Sequence, residues 1–201
     1  MQEWIEGLSL YTVALSIPLY TDWRKTVEMA QQVCAGLTAI AQTGHIHGDL
    51  KPSNLMLNTE EGKENQIKII DLDSILPIEE NKMDPRYVPT WSPGYAAPEI
   101  VHHFTINSVD HGTLANPTRD IYALGITIYE LLASKHPFTD RHGNVSFRSR
   151  KPLPDIHLLN EKVPDKLVKI IEKATMIEAN ERYRDAEEMN SALGELLDST
   201  T

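Results

Sequence analysis

The run His45-Ile46-His47-Gly48-Asp49-Leu50-Lys51-Pro52-Ser53-Asn54 puts a carboxylate, an ammonium and an amide in one short stretch. Further along stand Ile69-Ile70-Asp71-Leu72-Asp73-Ser74, then Ser92-Pro93-Gly94-Tyr95-Ala96-Ala97-Pro98-Glu99, then Asp120-Ile121-Tyr122-Ala123-Leu124-Gly125. These residue types can supply a phosphoryl-transfer site. Asp49 can accept the proton of an attacking hydroxyl and orient its oxygen, a role worth about 10²–10⁴ in rate for a well-placed carboxylate. Lys51 can neutralise the group being transferred. Asn54 and Asp71 offer hard oxygen ligands to Mg²⁺, which ordinarily keeps waters and substrate phosphates as its other ligands. Such a site works by positioning and charge stabilisation, without covalent chemistry.

These residues need elements to hold them. Trp4 to Leu19 reads as an entry strand or linker and then a short helix. Thr21 or Asp22 can cap a long helix running to about Thr43, with Val27, Ala30, Val33, Cys34, Leu37, Ile40 and Ala41 on one face. Gly44 ends it. The apolar runs Leu55-Met56-Leu57 and Ile67-Lys68-Ile69-Ile70 flank a polar turn and predict a small antiparallel hairpin. Asp71 then follows a strand, so its carboxylate can face the loop that carries Asn54. The stretch from Pro77 to Ala97 is rich in proline and charge, and loops this long inside a compact domain tend to be functional. Pro98 to His103 predicts a short helix. Arg119 to Leu132 is apolar on most sides, the mark of a buried central helix. Pro164 opens one of two final helices and Asp185 caps the other. The expected fold is mainly α, a helical bundle with one small β-hairpin, in one domain over 1–201.

The 201 residues carry a formal net charge of −10, which argues against general binding to nucleic-acid backbones. Apolar content of 41% and charged content of 24% fit a folded globular chain. Cys34, the single cysteine, has no intrachain disulfide partner and is expected to pack as a small hydrophobe. No apolar run approaches a membrane span, and the acidic start Met1-Gln2-Glu3-Trp4-Ile5-Glu6-Gly7 lacks the charge order of a signal peptide. The expected location is the cytoplasm, with no nucleic-acid or membrane partner.

The four stretches resemble, in order, the motifs of the eukaryotic-type (Hanks-type) Ser/Thr protein kinase family, and the resemblance is to the C-terminal lobe. His47-Gly48-Asp49-Leu50-Lys51-Pro52-Ser53-Asn54 looks like the H-R-D-L-K-P-x-N catalytic loop, within 45–58. Asp71-Leu72-Asp73 takes the D-F-G place and opens an activation segment over 71–99, which Ala97-Pro98-Glu99 closes as A-P-E. The resemblance implies ATP and Mg²⁺ as cofactors and a protein as substrate. It makes Asp49 the base, puts Lys51 on the γ-phosphate, and gives Mg²⁺ to Asn54 and Asp71. It also implies a buried structural His47, an Asp120 that ties the central helix to the catalytic-loop backbone, and a Glu99–Arg182 ion pair within a helical subdomain over 119–197. Residues 1–7 look like the hinge between lobes, with the Glu3 and Ile5 backbone meeting the adenine edge and Met56 beneath the ring.

The departures carry expectations of their own. Gly48 stands where the family has arginine, the residue that pairs with a phosphorylated activation loop, so switching of that type is not expected. Asp73 for glycine adds a carboxylate beside the metal ligands, as a supplementary ligand or a solvated acid. The 201 residues contain no Gly-rich phosphate loop, no V-A-I-K lysine and no partner glutamate. The chain is therefore expected to need an N-lobe from a partner chain, or to self-associate through the exposed lobe face around Trp4, Met56, Leu57 and Leu72. Two other readings stand beside a kinase C-lobe. One is a pseudokinase-like protein-binding module. The other is a small-molecule phosphotransferase of the aminoglycoside or choline kinase type, which shares His47-Gly48-Asp49 and Ile70-Asp71-Leu72-Asp73 but fits Ser92 to Glu99 and Arg182 poorly.

Overall fold

The computed structural model describes residues 6–16, 22–62, 65–78, 91–106, 114–145 and 152–199. Strand β1 (Gly7–Ser9) leads directly into helix α1 (Leu10–Ser16). Helix α2 (Trp23–Gln42) begins where the Asp22 carboxylate accepts the Arg24 N–H at 3.0 Å. Its inward face is Trp23, Val27, Ala30, Val33, Cys34 and Leu37, and it stops at Thr43 and Gly44, the latter at φ +80°.

Two short strand pairings then frame the chemistry. Strand β2 (His45–Ile46) pairs antiparallel with β5 (Leu76–Pro77), and β3 (Leu55–Asn58) with β4 (Ile67–Ile69). The first pairing joins the start of the 47–54 loop to the end of the 70–75 loop. The second joins the end of the former to the start of the latter, with Leu55 opposite Ile69. Both loops are thus closed at both ends against each other. The expected hairpin is larger than its sequence pattern suggests. β1 adds a third strand on the far side of β3, with Leu8 opposite Leu57. Three residues are too few to display alternation, so pairing with β3 makes Gly7–Ser9 a strand.

Helix α3 (Pro98–Ile106) runs past the expected end at His103. Helix α4 (Thr118–Ala133) is buried along nearly its whole length and ends at Ser134 in the left-handed region. Helices α5 (Asp165–Ala174) and α6 (Ala186–Asp198) follow, the latter capped by the Asp185 carboxylate, which accepts the Glu188 N–H at 2.8 Å. The main core gathers α1, α2, α4, α5 and α6, with Ile121, Leu124 and Ile128 facing it from α4. The opposite face of α4, with Tyr122 and Ile126, fills a second core beneath Ile46, Leu76, Ala97 and Ile100. One helix therefore supports both the bundle and the loops. Among the described residues no helix is long and apolar enough to cross a membrane.

Candidate active site

The first turn of α4 meets the catalytic-type loop. The Asp120 carboxylate accepts the His47 N–H at 2.8 Å and the Gly48 N–H at 2.9 Å. The imidazole of His47 is fully buried, accepting the Asp49 N–H at Nδ1 (3.3 Å) and donating from Nε2 to the Ile70 carbonyl (3.0 Å). One tautomer, with the proton on Nε2, satisfies both contacts. His47 therefore links the loop that holds Asp49 to the residue just before Asp71.

Lys51 joins two other segments. Its Nζ donates to Asp49 Oδ2 at 2.6 Å and to Ser92 Oγ at 2.7 Å. The Asn54 amide nitrogen donates to the Asp49 carbonyl at 2.9 Å, and the Asn54 carbonyl accepts the Ile70 N–H at 2.9 Å. Asp49 and Asn54 are buried, while Asp71 and Met56 are half-buried. Asp71 is a non-glycine residue in the left-handed region, at φ 64° and ψ 57°, where a short 3₁₀ turn over Leu72–Ser74 begins. Such a conformation costs of order 1 kcal/mol and persists only where the surroundings impose it. The paired strands on either side impose it here. Asp73 lies in that turn with an exposed side chain. Glu3 and Ile5, like Trp4 and residues 79–90 of the activation segment, lie outside the described residues.

The Arg182 guanidinium is buried and grips Glu99 with two nitrogens, at 2.8 and 2.7 Å. It also donates to the carbonyls of Met176, Ile177 and Thr118. Tyr122 lies beneath it, ring to guanidinium 5.0 Å, and burial pushes that phenol up to about 12. A buried charge with this many partners is costly to break. It ties α3, and with it the end of the Ser92–Glu99 segment, to the base of α4.

The protein kinase domain family matches residues 3–198. The chain belongs to that family. Its relatives include the probable serine/threonine-protein kinase PknB of Lactococcus lactis, 28% identical over 94% of this chain and 28% of its own length. The serine/threonine-protein kinase PrkC of Bacillus subtilis is 26% identical over 99% of this chain and 29% of its own length. The serine/threonine-protein kinase PknL of Mycobacterium tuberculosis is 25% identical over 83% of this chain and 39% of its own length. The chain thus spans less than half the length of each.

Several features of this kinase-family site are not evident from its motifs. Gly48 adopts φ +82°, and a Cβ there would lie 2.9 Å from the Ser74 carbonyl oxygen. The residue is small because backbone from the 70–75 loop passes against it. Tyr95 donates to Glu130 at 2.5 Å, and burial raises both the phenol and the carboxyl above their ordinary values. His136 packs edge-on to Tyr95, 5.1 Å between ring centroids. Its Nδ1 accepts the Phe138 N–H, its Nε2 is buried without a hydrogen-bond partner among the described residues, and burial lowers its pKa to about 4. Arg119 enters the site from α4 with its guanidinium on the Gly48 carbonyl. None of these has a local sequence signal, because each depends on which segments tertiary packing brings together. A concavity of about 700 Å³ between Asp22–Arg24 and the residues His157–Lys162 is lined by none of the residues described above as converging.

Proposed function

We propose that this chain is the C-terminal lobe of a Ser/Thr protein kinase. It transfers the γ-phosphoryl group of ATP to a protein hydroxyl when an N-terminal lobe covers the nucleotide, and is weak or inactive without one. The observation that carries this reading is the position of Lys51, bonded at once to Asp49 and to Ser92 of the segment before Ala97-Pro98-Glu99. That bridge supports reading Asp49 as the base, Lys51 as its companion cation and the segment around Ser92 as the acceptor-facing loop.

Asp49 takes the proton of the incoming Ser or Thr hydroxyl at a carboxylate oxygen. Its backbone is fixed through His47 and Asn54, so the oxygen is aimed before substrate arrives. Lys51, a compact point charge, swings between Asp49 and the transferring group. The donor set suits Mg²⁺. The Asn54 amide nitrogen is committed to the Asp49 carbonyl, which leaves its Oδ1 for a ligand, and the Asp71 carboxylate has no hydrogen-bond partner among the described residues. Mg²⁺ held there would neutralise phosphate oxygens of ATP. Met56 is assigned to the floor of the adenine pocket, and Glu3 and Ile5 to its edge.

The cover for the phosphates must come from outside these 201 residues, which lack a Gly-rich loop and its companion lysine. Of the lobe face expected from the sequence, Leu72 is exposed, while Met56 and Leu57 are half-buried and Leu57 packs against the main core. Leu72, with the exposed Leu8 and Tyr11, is assigned to the face that meets that lobe or a second copy of the chain. The Glu99–Arg182 pair favours this reading over a small-molecule phosphotransferase.

The test is a transfer assay with γ-labelled ATP and Ser- and Thr-containing peptides, the chain being supplied with a kinase N-lobe. Label is expected on hydroxyl side chains, and Asp49→Asn is expected to lower kcat by about 10²–10⁴. Undiminished turnover in Asp49→Asn removes Asp49 as the base.

A further inference from the structure

We propose that Arg119 is a positioning residue for Asp49, forming with its neighbour Asp120 a clamp that holds both ends of Gly48 from the central helix. The inference rests on the reading of Asp49 as the proton acceptor.

Arg119 stands in the first turn of α4 and is buried, with only 4% of its surface exposed. Both facts disfavour a cation. The N-terminal end of a helix carries the positive end of its dipole, and burial strips the guanidinium of water. Such a residue needs strong acceptors. Arg119 finds them in carbonyls: Nη2 donates to the Gly48 carbonyl at 3.0 Å and Nη1 to the Leu114 carbonyl. Asp120, the next residue, accepts the Gly48 N–H at 2.9 Å. One glycine thus has its N–H held by one side chain of α4 and its C=O held by the adjacent one.

Glycine is the residue with the greatest backbone freedom, and Gly48 sits in a left-handed conformation at φ +82°. The Gly48 carbonyl belongs to the same peptide plane as the Asp49 N–H, which donates to His47 Nδ1. Fixing that carbonyl fixes the plane from which the Asp49 side chain departs. Without Arg119 the plane is held from its N–H side alone and can tilt. Arg119 therefore supplies a restraint that the residue at position 48 cannot supply for itself.

The test follows amide hydrogen exchange residue by residue in the full chain, for wild type, Arg119→Gln and Arg119→Lys. Loss of this charge-assisted bond is expected to speed exchange at His47, Gly48 and Asp49 about tenfold or more in Arg119→Gln, with exchange from Ile126 to Leu132 unchanged. Arg119→Lys, which keeps the charge, is expected to restore part of the protection. Even loss across α4 and the loop, or none at 47–49, overturns the proposal. If Arg119→Gln does not fold, Arg119→Lys decides by the same criterion, with a smaller localised effect expected. Exchange needs neither nucleotide nor turnover, so this result stands apart from the kinase reading. Wherever wild type shows transfer, Arg119→Gln is expected to lower kcat with KM for ATP unchanged. A change in KM alone contradicts a positioning role.

Discussion

His136 shows how a single buried side chain sets a pH limit on the fold. Packed edge-on to Tyr95 and stripped of water, it resists protonation, and burial, outweighing the Gly94 backbone that favours the charged ring, lowers its pKa from 6.5 to about 4. Between those values the unfolded chain holds a proton that the folded chain refuses. Stability from this residue is therefore complete above pH 6.5 and is lost as pH falls toward about 4. Thermal melts of wild type and His136→Gln between pH 7 and pH 4 check this. The wild type is expected to lose more stability than the variant over that interval, because the carboxylates common to both chains cancel in the comparison. Parallel curves would show that His136 takes up its proton freely in the folded state. Single residues also differ in how far the sequence alone reveals them. Asp49, Lys51 and Asn54 stand out because they share one short segment, and Asp71 because it follows a strand. Arg119, Tyr95 and Glu130 are not, because their partners lie tens of positions away and no local pattern links them.

At the scale of elements, the long helices and the β3–β4 hairpin were legible, while the β2–β5 pairing and the place of β1 beside β3 were not. α2 and α4 carry enough turns for periodicity to speak, and Asp22 and Asp185 announce helix starts by cap chemistry. β1 and β2 have three residues and two, which form only because a partner strand satisfies their backbone. The packing of α4 against α5 gives the sharpest prediction here. A Cβ on Gly125 would stand 2.7 Å from the Thr175 methyl and 3.0 Å from Ala174 Cβ. The Thr175 hydroxyl is bonded to the Ile171 carbonyl at 2.8 Å, so its methyl cannot swing aside without losing that bond. Overpacking costs about 1–3 kcal/mol, against a helix-propensity gain of about 1 kcal/mol for alanine over glycine. Gly125→Ala is therefore expected to lower stability in denaturant titration. Gly125→Ala with Thr175→Ser, which keeps the hydroxyl and removes the methyl, is expected to recover most of the loss. A stabilised single variant would mean that the two helices part easily.

At the scale of the molecule, α4 lies between two cores, and its first turn holds the loop that bears Asp49. The geometry around Asp49 and global stability therefore share one support, and the Glu99–Arg182 pair fastens the Ser92–Glu99 segment to the same support. Asn54 and Asp71 are proposed to share one divalent ion beside Asp49. Mn²⁺ in place of Mg²⁺, added with excess ATP to the isotope-labelled chain, reports on this through paramagnetic broadening of nearby amide signals. Broadening centred on Asn54, Ile70 and Leu72, abolished in a folded Asp71→Asn variant, is the predicted result. Broadening centred elsewhere, or persisting undiminished in Asp71→Asn, would contradict it.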